Sequence, residues 1–244
     1  MASSESYIFL AVFAVLGLVA LIYLLSPMSL LDDIAVRGGE IRTRLREFLA
    51  RNTYDADTRT VLVIGTADQA LEHHEAIWRL REAGLNGSAL AMVRLVHDAM
   101  FRALWLRACA DDEQVEQASR DELNWLRIPV RDAIKRAYFG MPEDPEAAAR
   151  LDKLFAELAA LWKILCSYTH MGARQLERRF TFDEVKPSYT KHEIAQALHF
   201  ATEALLFGFA LLFKTIGAEK ETDDTITMRL RYHAEFDERL HTGQ

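Results

Sequence analysis

Arg94, Asp98 and Arg102 are the first place where this sequence could do chemistry. Each stands four residues after the last, so on a helix they share a face and can pair along it. Phe101 and Trp105 fall close by on the helical wheel. Guanidinium edges not taken up by Asp98 can grip a phosphate or carboxylate through two parallel hydrogen bonds. The plain alternative is a structural ion-pair ladder or an exposed charged face. Arg94, Asp98, Arg102 and Trp105 are therefore candidate ligand-binding residues, and Arg94 and Arg102 are candidates for a catalytic role.

A second line runs through Lys163, Ser167 and His170, where the segment Ser167-Tyr168-Thr169-His170-Met171-Gly172 breaks at a glycine. A histidine at a helix end beside hydroxyls is a candidate general acid–base, with Lys163 and Tyr168 as ligand-binding neighbours; a capping role is the alternative. On a third helix His192, Gln196, His199 and Glu203 share a face. His199 and Glu203 could both bind a ligand, or share a metal, but two ligands do not make a site and a solvated stripe is the simpler reading. Glu72-His73-His74-Glu75 resembles a metal cluster in composition, yet helical neighbours point apart, so a surface position is expected. No glycine-rich phosphate loop, nucleophile elbow, paired-cysteine zinc site or HExxH is present, so neither metal nor cofactor is expected. Charged stripes on apolar helices are least costly when they meet. One pocket holding Arg94, Asp98 and Arg102, His170, and His199 or Glu203 is therefore expected, suited to an anionic ligand or a phosphodiester.

The elements that carry these lines are helices. Glycine (11) and proline (5) are scarce, and half of the residues are apolar. Strands joined by tight turns need both punctuating residues. Leu30, Leu31, Ile34, Ile41, Leu45, Phe48 and Leu49 trace a basic amphipathic helix over 29–52, read either as a headgroup-touching segment or as a solvated linker. Helices follow at about 58–83 and from a cap at Asn86 to Ala110. An acidic start at Asp111–Glu116 opens a stretch broken by Pro129 and ended at Gly140-Met-Pro142. Asp144 caps a helix from Pro145 to about Tyr168; 169–188 is less regular. Thr190 and Glu193 form a capping box for a helix to about Ile216. Within it the apolar run Ala204–Phe213 is too short for a bilayer and reads as core. From Thr222 the tail is helical in pattern but heavily charged, and is expected to be loosely held.

The net charge of −7 argues against general nucleic-acid binding, which needs cations. Cys109 and Cys166 sit in apolar helical context with no partner at metal spacing, and read as reduced thiols. Tyr7–Leu25, nineteen residues without a charge, is long enough to cross a hydrocarbon core. Arg37, Arg42, Arg44, Arg46 and Arg51 follow it and no basic residue precedes it, which places the N-terminus outside and the rest inside. The organisation expected is a transmembrane anchor (1–28), a basic amphipathic linker helix (29–57), a cytoplasmic helical bundle (58–217) and a charged C-terminal helix or tail (218–244). The fold class is all-α: a helical bundle with one N-terminal transmembrane helix.

The stretch Ala89–Leu106, with Arg94, Asp98, Arg102 and Trp105, resembles a family of uncharacterised bacterial helical proteins, a domain of unknown function. So do Leu165-Cys-Ser-Tyr168-Thr-His170-Met-Gly172, Gln175, Arg178-Arg179 and Pro187-Ser-Tyr189. The resemblance covers roughly 65–215; members usually carry Glu where this chain has Asp98. The group is distantly similar to the HEPN-like nucleotide-binding and ribonuclease domains, several of which act in phage defence. Their hallmark is an arginine and a histidine with four to six residues between them, and here Lys163, six intervening positions before His170, stands where that arginine would be. The resemblance, joined to the anchor read from Tyr7–Leu25, implies a membrane-anchored cytoplasmic helical module that binds a partner or anionic ligand in bacterial stress or phage defence. The alternative it implies is a metal-independent ribonuclease using His170, Arg102 and Arg94. The partners brought in are the lipid bilayer of the bacterial inner membrane, a protein partner or second copy of the chain, and RNA or another anionic ligand.

Overall fold

A computed structural model describes residues 29–140, 144–170, 172–181 and 184–242. The expected transmembrane segment over 1–28 lies outside the described residues.

Apolar residues recur along each helix at three- and four-residue spacing, and the resulting faces close on one core. Helix α1 (Leu30–Arg51) starts at Ser29, whose hydroxyl accepts from the Asp32 N–H. Its apolar face joins the core: Leu31, Ile34, Ile41, Leu45, Phe48 and Leu49 are all buried. Its arginines face carboxylates of the same domain, Arg37 with Glu40 and Glu235, Arg42 with Glu75, Arg44 and Arg51 with Glu47, and Arg46 with Asp68 and Glu75. Helix α2 (Thr58–Glu82) is capped by Asp57. In α3 (Asn86–Ala108), Asn86 is the first helical residue and not the cap; Leu85 takes that position without a side-chain bond.

Helix α4 (Asp112–Ser119) opens with a reciprocal Asp111–Gln114 capping box. A 3-10 turn (Trp125–Arg127) and Pro129 lead into α5 (Val130–Phe139), which ends at Gly140 with φ +62°. Helix α6 (Pro145–Thr169), the short α7 (Ala173–Glu177) and a minimal hairpin, β1 (Phe180–Thr181) against β2 (Glu184–Val185), follow. The Thr190–Glu193 capping box opens α8 (Lys191–Thr215), and α9 (Glu219–Thr242) completes the chain. The fold is all-helical apart from that hairpin.

Helices α3 and α8 form the centre. Helix α2 lies along α3, α1 and α9 flank α8, and α5 and α6 cover the far side of α3. The α3–α8 approach is close: a Cβ on Gly208 would fall 2.5 Å from Met100 Cε and 3.1 Å from its Cβ. Helix α8 is, among the described residues, long and apolar enough to cross a membrane. Yet 56% of its apolar window is buried inside the protein, as a core helix requires. The tail is not loose. Tyr232, Phe236 and Leu240 recur every fourth residue of α9 and are buried against the core; the charges occupy its other faces.

Candidate functional site

Helices α3, α5 and α6 and the 3-10 turn enclose a cavity of about 430 Å³. Asp98 is its hub. The carboxylate accepts from Arg94 Nε at 3.1 Å, from Trp162 Nε1 at 2.9 Å and from His97 Nδ1 at 3.3 Å. Burial pushes the carboxyl up, but the His97 and Trp162 hydrogen bonds and the charge of Arg94 outweigh it, and the group is held below its ordinary value. One helical turn earlier, Arg94 places its guanidinium 5.0 Å from the Trp162 ring centre and meets His170 Nε2 through Nη1. Arg131, from the first turn of α5, lies 4.9 Å from the same indole. Arg102 covers Trp125 at 4.8 Å. Trp162 thus carries two guanidiniums, and among the described residues neither Arg102 nor Arg131 has an ion-pair partner.

His97 is buried, and burial lowers its pKa against the opposing effect of the hydrogen bond to Asp98 and that carboxylate's charge. Its ring stacks on Phe101 at 4.3 Å and lines the cavity. With Nδ1 donating to Asp98, Nε2 carries a lone pair and has no hydrogen-bond partner. The cavity wall therefore offers three guanidiniums, two indoles and two carboxylates, Asp98 and Asp132. By formal charge the wall is positive by one.

The sequence-derived candidates are partly united here. Arg94, Asp98 and Arg102 line the cavity, but Arg102 turns to Trp125 and does not join Asp98. Trp105 is buried and packs edge-on against Trp125 at 5.5 Å, supporting the wall without forming it. His170 touches Arg94 but is exposed and does not line the cavity. Lys163 points to solvent.

Tyr168 and His199 instead line a second cavity of about 420 Å³, between α6, α8 and α9. Glu203 lies under α9, 2.9 Å from Arg229. The single pocket expected from three stripes is thus two cavities. The apolar face of α8, with Leu198, Ala201 and Leu205, takes the side toward α3, and His199 and Glu203 are carried round toward α9. The stripe is solvated only at His192 and Gln196. His74 is not at the surface either: neighbours on α2 do point apart, and His74 points inward. Its Nε2 lies 3.0 Å from Thr202 Oγ1, and burial with nearby Arg42 lowers its pKa to about 3.

Sequence reading missed His97, Arg131, Trp125 and Trp162. His97 directly precedes Asp98 on a helix that is apolar almost all round, and that was its available signal. The other three sit on separate elements, and their convergence is a tertiary fact.

A family model described as a family of unknown function, DUF6988, matches residues 67–238. The match spans well over half of the chain and every residue that lines the first cavity, and the chain belongs to that family. No curated protein and no solved structure matches it.

Proposed function

We propose that this chain is a binding module for a small anionic ligand, tethered to the cytoplasmic face of a bacterial membrane. The observation that carries the reading is the first cavity. Three guanidiniums line it, two of them lie against one indole, and two carboxylates, Asp98 and Asp132, leave one positive charge in excess. A phosphorylated ligand with a flat ring fits best. The guanidiniums take the phosphate and the indoles take the ring.

The tether rests on the apolar run Tyr7–Leu25, which ends four residues before α1 begins. That end of the bundle also gathers Arg81, bonded to Asp32 at 2.7 Å, and the α2–α3 turn with exposed Leu85. The hairpin there carries exposed Phe180 and Val185, and Arg179 beside Gly87. An apolar and basic rim is what a domain held close to anionic lipid would present.

Calorimetric titration of the full-length chain with inorganic phosphate, nucleoside monophosphates and nucleosides tests the ligand reading. Binding should be strongest for the monophosphates and fall at least about tenfold in Arg131→Ala, since a charge-assisted hydrogen bond contributes about 1.5–3 kcal/mol. Equal and negligible heats for all three would overturn it. A reporter active only in the cytoplasm, fused after Gln244, tests the tether.

A second reading, a metal-independent ribonuclease, has one observation in its favour: Arg94 and His170, from separate helices, meet at the cavity rim. It requires RNA cleavage that survives a chelator and is lost in His170→Ala.

A further inference from the structure

We infer that His199, His233 and Asp237 form a divalent transition-metal site on the wall of the second cavity, distinct from the anion site. One ligand atom from each residue lies within 4.8 Å of the others. Helix α9 supplies His233 and Asp237 at i and i+4, with His233 Nε2 3.8 Å from Asp237 Oδ2. Helix α8 supplies His199 from across the α8–α9 interface. Ligand atoms around a tetrahedral ion with bonds of about 2.0–2.1 Å sit about 3.3 Å apart. A closure of up to about 1.5 Å brings the set to that spacing.

One ligand is already oriented. The His199 ring stacks on Tyr232 at 5.1 Å and 15° between planes, and Tyr232 is locked in the core. His233, the exposed member, is free to swing toward it. Two imidazoles and one carboxylate suit zinc and its borderline neighbours; calcium and magnesium ask for oxygen alone. Three protein ligands leave a coordination position for water or substrate. His199 and Asp237 also line the second cavity, so that position opens onto it.

Glu203 adds an independent observation. It stands one turn after His199, is 15% exposed, and bonds Arg229 through Oε2, while Oε1 is buried without a hydrogen-bond partner. A buried carboxylate one helical turn from His199 adds a negative charge that favours a cation bound nearby. Without a metal, the same three residues amount to a surface imidazole–carboxylate pair beside a stacked histidine, and the two arrangements differ in what they bind.

The test is titration of the full-length chain with Co²⁺, followed by its visible absorption. One equivalent should give intense bands of a low-coordinate ion, and Zn²⁺ should displace them. His233→Ala leaves an exposed position and preserves the fold, checked by circular dichroism; it should weaken Co²⁺ at least about tenfold, as should Asp237→Asn. His73→Ala and His192→Ala should leave affinity unchanged, and so should Arg131→Ala at the other cavity. Absence of the bands, or equal affinity in His233→Ala and the unaltered chain, overturns the site.

Discussion

Replacing Asp98 by alanine isolates the interaction on which the first cavity is built. The change removes one acceptor and strands three donors: Arg94 Nε, Trp162 Nε1 and His97 Nδ1. A hydrogen bond to a charged group contributes about 1.5–3 kcal/mol, so three would sum to roughly 5–9 kcal/mol if independent. They share one carboxylate and are not independent. The Arg94 and Asp98 side chains are also 13% and 19% exposed, so water reaches the vacated space. A loss of about 2–4 kcal/mol results, somewhat below the cost of breaking a fully buried pair. For a chain of this length that corresponds to a fall in melting temperature of roughly 5–15 °C. Arg102→Ala serves as the control, because it gives up only an exposed guanidinium–indole contact, about 0.5–1 kcal/mol. Thermal unfolding followed by circular dichroism reads both. A cost for Asp98→Ala under about 1 kcal/mol, or one equal to that of Arg102→Ala, would refute the hub: it would then behave as a surface pair.

Acid should destabilise the fold through His74. Its folded pKa, about 3, lies below the ordinary 6.5, so the unfolded chain takes up the proton first, and stability is complete above pH 6.5 and falls as pH drops. Between pH 6.5 and 5 the loss from this residue is about 2 kcal/mol, and urea unfolding of His74→Gln should show a flatter profile; parallel profiles would contradict the burial. Asp98, held low, adds its own loss only below about pH 4, a separate window. At the α3–α8 crossing, Gly208→Val should cost about 1–3 kcal/mol by overpacking against Met100. Gly208→Ala should cost less, because the helix preference for alanine returns about 1 kcal/mol; a stabilised valine variant would mean that the helices are not in close approach.

The helices were legible because their signals are local. Thr190 with Glu193, Asp111 at an acidic start, Pro129 and Gly140 each act within a few residues, and each marks a boundary in the structure. Membership of the core was less legible at the two ends. The charges of α1 and α9 suggested solvent or lipid, but they pair with one another across the interface, as Arg37 does with Glu235 and Arg239 with Asp33. A charged helix can be structural when its partner face is equally charged and of opposite sign, and that partner lies about two hundred residues away in sequence.

The site obeyed the same division. Arg94 and Asp98 were found because an i, i+4 pair is visible on one helix. The assumption that polar stripes converge failed for α8, since a helix buries the face with more apolar area and takes its polar line wherever that leaves it. For α3 the buried face wins nearly the whole circumference, so its few polar groups need partners from outside the helix. Trp162 supplies one to Asp98 from α6, and its indole lies against Arg94. A polar group on an almost wholly buried helix therefore argues for a partnered site at that point, and the partners' identity is set by whichever elements cover it. In this fold those elements bring two indoles, one further arginine, Arg131, and one further carboxylate, Asp132, so that three guanidiniums face two carboxylates across the wall.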